Sequence, residues 1–313
     1  MGVLFGAMVL FTSNKNLNRA ENIRAVFEAY PGDKHFAQVK PGVKVSCTGY
    51  SVRVCDEFIG VSPGKAIMIG HAISGGKTYG LDQPHPYHSE RNARLLTWVI
   101  TSSPNMVDLV AKQSGVSREQ VLPLGLPRTD QYFGKHKGDG KTLTTGKRVY
   151  LYAPTYRTKE EQANNWINWK QIDRMLTDDE VLIVKPHMIT SKILRRPYKH
   201  IIEVSADVPS APYLIDCDVL ITDYSSILFD AHVLGKPVVL FEKVKGYLQT
   251  RGMYLDYPGG YASRYCQSER DLVDICRYAD VPGEADRRCL KLTASACDGH
   301  ATERVVKLIG ETI

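Results

Sequence analysis

The sequence predicts an α/β protein made of two doubly wound domains, each with a mainly parallel sheet. Short apolar runs alternate with segments of helical spacing in residues 1–134, and the alternation restarts in residues 149–313. Such alternation is typical of βαβ units. Residues 135–148 are rich in Gly, Lys and Thr and nearly lack apolar side chains, which indicates a basic linker. We also expect that the closing helix can pack back on the N-terminal domain.

The N-terminal half is predicted to begin with a strand at residues 3–12. This apolar run lacks a basic n-region and a cleavage site and is too short to span a bilayer, so we expect neither a signal peptide nor an anchor. Helices are predicted at residues 16–30 and 105–113, the second starting at Ser-Pro and stopping at Gly115. Further strands are predicted at residues 43–54 (one strand or a pair), 66–69, 96–101 and 121–124.

The C-terminal half shows the same alternation. Strands are predicted at residues 149–153, 181–184, 201–204, 218–221 and 238–241. Helices are predicted at residues 166–176, 212–216, 227–234, 271–278 and 301–309.

Composition limits the compartment and the partners. Seven cysteines occur without a CxxC pair, which argues for a reducing compartment and against a disulfide framework or a zinc site. We therefore predict a cytoplasmic protein. The net charge of +6 fits anionic substrates or an anionic membrane surface. RNA-binding aromatic patterns and zinc-finger spacings are absent from the sequence, so we expect no nucleic-acid partner.

The stretch from Asp218 to Asp230 has the pattern of a phosphate site. An apolar strand leads through Thr-Asp-Tyr-Ser-Ser into an amphipathic helix. The free N–H groups and the positive dipole end of a helix N-terminus favour an anion. Ser225 or Ser226 could cap this helix and also donate a hydroxyl to the anion. A plain N-cap without any ligand explains the same pattern equally well.

Polar side chains collect at predicted strand ends in both halves. Ligands of doubly wound sheets bind beyond the carboxyl ends of the strands, and Arg and Lys bind phosphate oxygens there. Such a set could hold a pyrophosphate without a metal, so we expect no metal cofactor. Each member alone could equally be a surface salt bridge or a cap. The set comprises Thr155, Arg157, Lys185, His187, Asp223, Ser225 and Ser226 in the C-terminal half, and His71, Lys77, Arg128 and Asp130 in the N-terminal half.

The histidines of Pro-His-Pro-Tyr-His, His85 and His88, could suggest metal ligands. No carboxylate or third histidine lies at a useful spacing, so we interpret them as loop residues.

Five motifs, in order, resemble the CDP-glycerol glycerophosphotransferase family of teichoic acid primases and polymerases. The resemblance covers about residues 67–241. It implies a GT-B fold, with two Rossmann-like domains facing across a cleft. It also implies transfer of glycerol phosphate from CDP-glycerol, or from a similar CDP-polyol, to a lipid-linked or glycan acceptor at the cytoplasmic membrane face, with release of CMP. The motifs are His71…Lys77…Gly80, Gly125-Leu126-Pro127-Arg128-Thr129-Asp130, Tyr152-Ala153-Pro154-Thr155-Tyr156-Arg157, Lys185-Pro186-His187, and Asp218 to Asp230 with Lys236-Pro237.

The resemblance implies two functional histidines, His71 and His187. We expect His71 to be the general base, because it comes from the acceptor-side domain and neutral imidazole can accept a hydroxyl proton near pH 7. His187 is expected to donate a hydrogen bond to the donor phosphates or to the leaving CMP. Donor phosphate contacts are expected from Arg157, Thr155, Lys185, Ser225 and Ser226, with Asp223 shaping the turn; Lys77, Arg128 and Asp130 are assigned to the acceptor side.

One motif departs from the family. Gly70-His71-Ala72-Ile73-Ser74 stands where members usually carry Trp-His-Gly-Thr-Pro. Two other functions therefore remain open. One is a GT-B glycosyltransferase or sugar-nucleotide epimerase, although no carboxylate is convincingly placed for epimerase chemistry. The other is a catalytically degenerate nucleotide-binding or scaffold protein.

Overall fold

The structure is a computed structural model that describes residues 7–40, 45–57, 64–70, 72–78, 80–82, 93–134, 146–156, 167–188, 190, 192–243 and 252–313. The chain divides into two compact units. The first unit comprises Met1–Gly134 and Lys291–Ile313, and the second comprises Lys135–Leu290. The C-terminal segment therefore belongs to the first unit.

Strands and helices alternate along most of the chain. The strands are β1 (Val9–Ser13), β2 (Lys34–Gln38), β3 (Val52–Cys55), β4 (Ala66–Met68), β5 (Trp98–Ile100), β6 (Val121–Leu122), β7 (Arg148–Tyr152), β8 (Glu180–Val184), β9 (Ile201–Glu203), β10 (Val219–Thr222), β11 (Val238–Phe241) and β12 (Arg264–Cys266). The α-helices are α1 (Glu21–Ala29), α2 (Val107–Ser114), α3 (Trp169–Met175), α4 (Ala211–Asp216), α5 (Ile227–Val233), α6 (Glu269–Arg277), α7 (Glu284–Thr293) and α8 (Ala301–Thr312). Short 3-10 helices cover Leu17–Arg19, Gly80–Asp82, Pro104–Met106, Arg118–Gln120 and Pro127–Tyr132.

The first unit contains a parallel sheet with the order β2-β1-β3-β4-β5-β6. Val9 of β1 pairs with Lys34 on one side and with Val52 on the other. The strand order therefore reverses at β1, and the crevice between β1 and β3 is a topological switch point. Strand β3 is fully buried, as expected for a central parallel strand.

The second unit contains a parallel sheet with the order β12-β11-β10-β7-β8-β9. Leu220 of β10 pairs with Val238 on one side and Leu151 of β7 on the other. Here the order reverses between β7 and β10, as in a Rossmann domain. Helices α3 and α6 cover one face, where Trp169 and Leu272 join the buried core. The predicted fold class of two doubly wound α/β domains is confirmed.

Among the strands and α-helices in the part of the chain that the structure describes, three were missed by the sequence analysis. Strands β2 and β12 are edge strands with partly exposed residues, so their hydrophobic pattern is weak. Helix α7 is rich in charged residues, which hid its apolar face.

Several predicted boundaries also move. The strand predicted at residues 43–54 shrinks to β3, because the chain turns just before it, at Thr48 and Gly49. The helix predicted at residues 16–30 is divided at Ala20, which separates a 3-10 turn from α1. Helix α2 ends at Gly115, as the sequence predicted, and Gly115 adopts the left-handed conformation with φ at 65°. Residues 3–6 of the first predicted strand and residues 135–145 of the linker lie outside the described residues.

Among the residues that the structure describes, no helix is both long enough and apolar enough to cross a bilayer.

Candidate functional site

A buried carboxylate organises the switch point of the second sheet. The side chain of Asp223 follows β10 and is buried, with 1% of the residue exposed. Its Oδ1 atom accepts hydrogen bonds of 2.7 Å from the backbone N–H of Thr155 and from that of Tyr224. The Thr222 hydroxyl adds a 2.7 Å bond to the carbonyl of Ala153. These bonds join the segments that leave β7 and β10, so Asp223 fixes the turn that follows each strand.

The turn after Asp223 leads into α5 through Ser225 and Ser226. Ser226 occupies the N-cap position, but its side chain makes no capping hydrogen bond. Its φ and ψ of −65° and −10° are already helical, whereas side-chain capping requires an extended N-cap residue. Of the two serines considered as caps, Ser226 therefore does not cap α5 through its side chain. Ser226 is exposed and Ser225 is partly exposed.

Lys185 and His187 lie at the carboxyl end of β8, next to β7. The backbone N–H of Lys185 continues the ladder by donating to the carbonyl of Tyr152 at 2.8 Å. Its ammonium is buried and donates to the carbonyls of Pro186 at 2.9 Å and Ala206 at 3.2 Å. The imidazole of His187 is partly buried, and its centroid lies 5.9 Å from that of the Tyr156 ring. A fixed cation and a histidine therefore stand beside the Thr155–Asp223 switch point.

The sheet order brings three of the predicted strand ends together. Strands β10, β7 and β8 are consecutive neighbours, so Asp223, Thr155 and Lys185 share one edge of the second sheet. This edge can orient an anionic ligand by a lysine charge and by donors on the segments after β7 and β10. Arg157 lies outside the described residues.

An acid–tyrosine cluster at the same edge was missed by the sequence analysis. Glu242 directly follows β11, and its carboxylate accepts hydrogen bonds from the hydroxyls of Tyr224 and Tyr265. The Tyr257 ring packs 4.8 Å from that of Tyr224, centroid to centroid. The Tyr257 hydroxyl is shielded from water without a hydrogen-bond partner, and burial, aided by Tyr224 and Asp223, raises its pKa. The position of Glu242 after a predicted strand was the available signal.

Asn22 connects two predicted site loops in the first unit. This residue of α1 is 3% exposed. Its Nδ2 atom donates to the carbonyl of Gly70 at 3.0 Å, and its Oδ1 atom accepts from the backbone N–H of Arg128 at 2.9 Å. Gly70 precedes His71, which lies outside the described residues. The Arg128 guanidinium approaches Glu21 at 3.7 Å. Sequence reasoning missed Asn22, because an asparagine within a predicted helix carries no functional signal.

Asp130 has a structural role. Its two carboxylate oxygens accept from the backbone N–H groups of Ala301 at 3.1 Å and Thr302 at 2.7 Å, which caps the N-terminus of α8. Gly125 of the same motif has a φ of +81°, and a Cβ atom there would lie 2.2 Å from the Ala296 carbonyl oxygen. This motif therefore docks the C-terminal segment. Lys77 of the acceptor-side set is partly buried in its loop.

The described parts of the chain contain no group of three or more His, Cys, Asp or Glu side chains placed to hold a metal ion. His85 and His88 lie outside the described residues.

The family model of CDP-glycerol:poly(glycerophosphate) glycerophosphotransferase matches residues 56–311. This chain belongs to that family. The family match includes Thr155, Lys185, His187 and Asp223, whereas Asn22 precedes it. The predicted resemblance is thereby confirmed.

Curated proteins that are similar to this chain include several teichoic acid enzymes. A teichoic acid poly(ribitol-phosphate) polymerase of Bacillus spizizenii is 29% identical over 265 residues, covering 78% of this chain and 42% of the relative. The ribitol-phosphate polymerase TarL of Staphylococcus aureus is 26% identical, covering 78% and 47%. A glycerol-phosphate primase of Bacillus subtilis is 29% identical, covering 80% and 68%. The chain thus spans about half the length of the two polymerases.

Solved structures support the fold assignment. The wall teichoic acid polymerase TagF has a TM-score of 0.75 at 18% identity, covering 97% of this chain and 88% of that chain. A UDP-GlcNAc 2-epimerase from Neisseria meningitidis has a TM-score of 0.63 at 12% identity, covering 97% and 100%. At these identities the likeness concerns the fold alone. It places this chain in the GT-B fold class.

Proposed function

We propose that this chain transfers glycerol phosphate, or a related polyol phosphate, from a CDP-activated donor to a hydroxyl acceptor in cell-envelope polymer synthesis. The observation that carries the proposal is the edge of the second sheet, where Asp223, Thr155 and Lys185 meet at a switch point. Family membership supports a CDP-glycerol donor. Further support comes from curated relatives that are teichoic acid primases and polymerases, and from a TagF variant whose structure was solved after a CDPG soak.

The donor pyrophosphate binds at this edge of the second sheet. Lys185 and Arg157 supply positive charge, and the hydroxyls of Ser225 and Ser226 donate hydrogen bonds to the phosphate oxygens. Asp223 acts through the backbone, because its carboxylate holds the turn that presents these serines. Fixed charges and donors of this kind need no reorganisation during the reaction, so they stabilise the charge that develops on the phosphate.

The reaction is an attack by an acceptor hydroxyl oxygen on the β-phosphorus of the donor. A new P–O bond forms to the acceptor, and the bond between the β-phosphorus and the bridging oxygen breaks, so that CMP leaves with that oxygen. His71 accepts the hydroxyl proton as general base. His187 donates a hydrogen bond to the donor phosphates or to the departing CMP.

The pyrophosphate is held by side-chain charge without a metal ion. The protein itself acts in the cytoplasm as a peripheral membrane enzyme. The net charge of +6 supports contact with an anionic lipid surface. CMP release should persist in EDTA, and sedimentation with vesicles should require anionic lipid. Loss of activity in EDTA that Mg²⁺ restores would contradict the metal-independent mechanism. Equal binding to neutral vesicles would contradict the role of anionic lipid.

The proposed function is tested by incubating the protein with CDP-glycerol, CDP-ribitol, UDP-glucose or UDP-GlcNAc and a glycerol-phosphate-primed glycolipid. We expect CMP release from a CDP-polyol and no turnover of the UDP-sugars. Conversion of UDP-GlcNAc would support the epimerase or glycosyltransferase alternative, which shares the fold. Absence of turnover with every donor would favour a degenerate binding protein.

Two substitutions separate catalysis from donor binding. His71→Ala should abolish transfer while the calorimetric affinity for CDP-glycerol stays nearly intact. Arg157→Ala should weaken that affinity instead. Normal turnover of the His71 variant would remove His71 as the base, and unchanged affinity of the Arg157 variant would remove Arg157 from the site.

A further inference from the structure

A second polar site lies at the switch point of the first sheet. Its residues have no role in the function proposed above. The strand order reverses between β1 and β3, and ligands of doubly wound sheets bind in the crevice beyond such a reversal. Ser13 and Asn14 stand at the carboxyl end of β1, and Asp56 and Glu57 directly follow β3. The most polar part of these two strands therefore faces the position where a ligand is expected.

These side chains are held in pairs across the two strands. The Ser13 hydroxyl donates to Oδ2 of Asp56 at 2.7 Å, and Nδ2 of Asn14 donates to Oε2 of Glu57 at 3.0 Å. The Ser13 hydroxyl oxygen also accepts from the backbone N–H of Lys15 at 3.0 Å. Oδ2 of Asp56 is thus bound at the end of the neighbouring strand, which fixes the direction of Oδ1.

Two acceptor atoms of this group are buried without donors. Oδ1 of Asp56 and Oδ1 of Asn14 are shielded from water and have no hydrogen-bond partner. Asp56 itself is only 3% exposed. A buried acceptor without a donor is costly for a fold and is rare in native proteins. Its retention at a switch point indicates that a ligand supplies the missing donors.

The charge of the group indicates which chemistry that ligand has. Two adjacent acidic groups stand beside one cation, Lys15, whose charge acts to lower the pKa of both, so the group as a whole disfavours the anionic part of a substrate. Burial raises the pKa of both groups, that of Glu57 to about 7. Carboxylate and amide oxygens accept from hydroxyl donors, and a chain of adjacent hydroxyls can satisfy several such acceptors together.

We propose that Ser13, Asn14, Asp56 and Glu57 form a binding site for adjacent hydroxyl groups of a polyol. In the proposed reaction, this site holds the polyol end of the acceptor. That second statement rests on the proposed function, whereas polyol binding itself does not.

The first test measures binding directly by saturation-transfer NMR with ribitol and glycerol on the full chain. We expect saturation transfer to ribitol that falls at least about tenfold in Asp56→Asn and Glu57→Gln, the effect of losing one hydrogen bond to a charged group. The matched control is Glu119→Gln, at an exposed residue of the same unit, which should retain the signal. Equal ribitol signals in all four proteins would overturn the site.

The second test separates a binding role from a structural role. Both variants remove a buried carboxyl with a raised pKa, so at pH 8 their melting temperatures should equal or exceed that of the wild type. A purely structural pair would instead lower the melting temperature and leave the ribitol signal unchanged, which would overturn the proposal. Displacement of ribitol by CaCl₂ at stoichiometric concentration would also overturn it, because the group would then be a cation site.

The third test addresses the acceptor role in the transfer assay. The KM for a ribitol-phosphate-primed glycolipid should rise about tenfold in Glu57→Gln, while the KM for the CDP-polyol donor stays unchanged. An unchanged acceptor KM would overturn the acceptor role. If the wild type releases no nucleotide from any donor, the proposed function fails, and the NMR result still decides the polyol site.

Discussion

The backbone N–H of Thr155 and the carboxylate of Asp223 are joined by a 2.7 Å hydrogen bond at the point where the second sheet reverses its strand order. The same carboxylate oxygen accepts the N–H of Tyr224. One side chain thereby positions the segments that follow two strands, and the serines of the phosphate turn depend on it. We call the edge of the second sheet where Thr155, Lys185 and Asp223 meet the donor edge. Its geometry consequently depends more on the Asp223 carboxylate than on either serine.

Replacement of Asp223 should show whether its carboxylate acts as a hydrogen-bond acceptor or through its negative charge. Asp223→Ala leaves two buried N–H groups without an acceptor, so the free energy of unfolding should fall by about 2–4 kcal/mol and CDP-glycerol binding should be lost. Asp223→Asn keeps an acceptor oxygen and should cost less than about 1 kcal/mol. Urea unfolding and calorimetry measure the two effects. As a control, Asp178→Ala removes an exposed carboxylate paired with Lys199. An alanine variant as stable as the asparagine variant would contradict the argument.

Asn22 should act as a positioning residue for the loop that carries His71. In Asn22→Asp the oxygen that accepts from Arg128 remains, but a second oxygen replaces the donor that faces the Gly70 carbonyl. We expect kcat to fall between about tenfold and a hundredfold, while CDP-glycerol affinity stays the same. Steady-state kinetics and calorimetry provide both readouts, and the exposed Asn18→Asp is the matched control. A weakened affinity for CDP-glycerol with an unchanged kcat would contradict this role and would instead connect Asn22 with donor binding.

The ion pair between Glu180 and Arg277 should stabilise the second unit. The guanidinium binds both carboxylate oxygens, at 2.9 Å and 2.8 Å, and the Tyr150 hydroxyl donates to one of them at 2.7 Å. Arg277→Ala should lower the free energy of unfolding by roughly 2–3 kcal/mol, less than for a fully buried pair because the arginine is partly exposed. Arg288→Ala, which breaks an exposed pair with Glu284, should change it by less than about 0.5 kcal/mol.

The same pair predicts a response to acid. Burial acts to raise the pKa of Glu180, but hydrogen bonds from Arg277, the Thr177 N–H and Tyr150 outweigh it and lower that pKa to about 2. This stabilisation is complete above the unfolded pKa of about 4.5 and is lost as the pH falls toward 2. Acid unfolding followed by circular dichroism should therefore move to higher pH in Arg277→Ala. An unchanged midpoint would show that the pair is not linked to acid stability.

Glu57 should produce the opposite pH dependence. Its folded-state pKa is raised to about 7, chiefly by burial and then by Asp56, so between pH 4.5 and pH 7 the folded state binds more protons than the unfolded state. Stability should therefore fall as the pH rises through this window, by at most about 3 kcal/mol. Glu57→Gln should flatten the profile of unfolding free energy measured in urea from pH 5 to pH 8. A slope equal to that of the wild type would contradict this assignment.

The order of apolar runs, the linker composition and the motifs at strand ends were enough to predict two doubly wound domains and the family. Parallel strands carry these signals because burial on both faces makes them continuously apolar, as in β8 and β10. The edge strands β2 and β12 escaped prediction, since partial exposure relaxes the same requirement.

The assignment of roles within the candidate sites was less accessible. Asp130 carried a family motif, yet its carboxylate caps α8, a helix that lies far away in the sequence. Asn22 and Glu242 carried no motif, yet hydrogen bonds place them at the predicted loops and at the donor edge. Partners of this kind are separated by long stretches of chain, and local sequence does not encode them.

The sequence by itself determined the class of fold, the strand ends that bear polar residues and the family to which the chain belongs, because periodicity and motif order are local properties. Only the tertiary structure decided that Asp223 bonds to Thr155, that Ser226 does not cap its helix, and that buried acceptors remain open at Asp56 and Asn14. Those features depend on sheet order and side-chain direction, and both arise when distant strands pair.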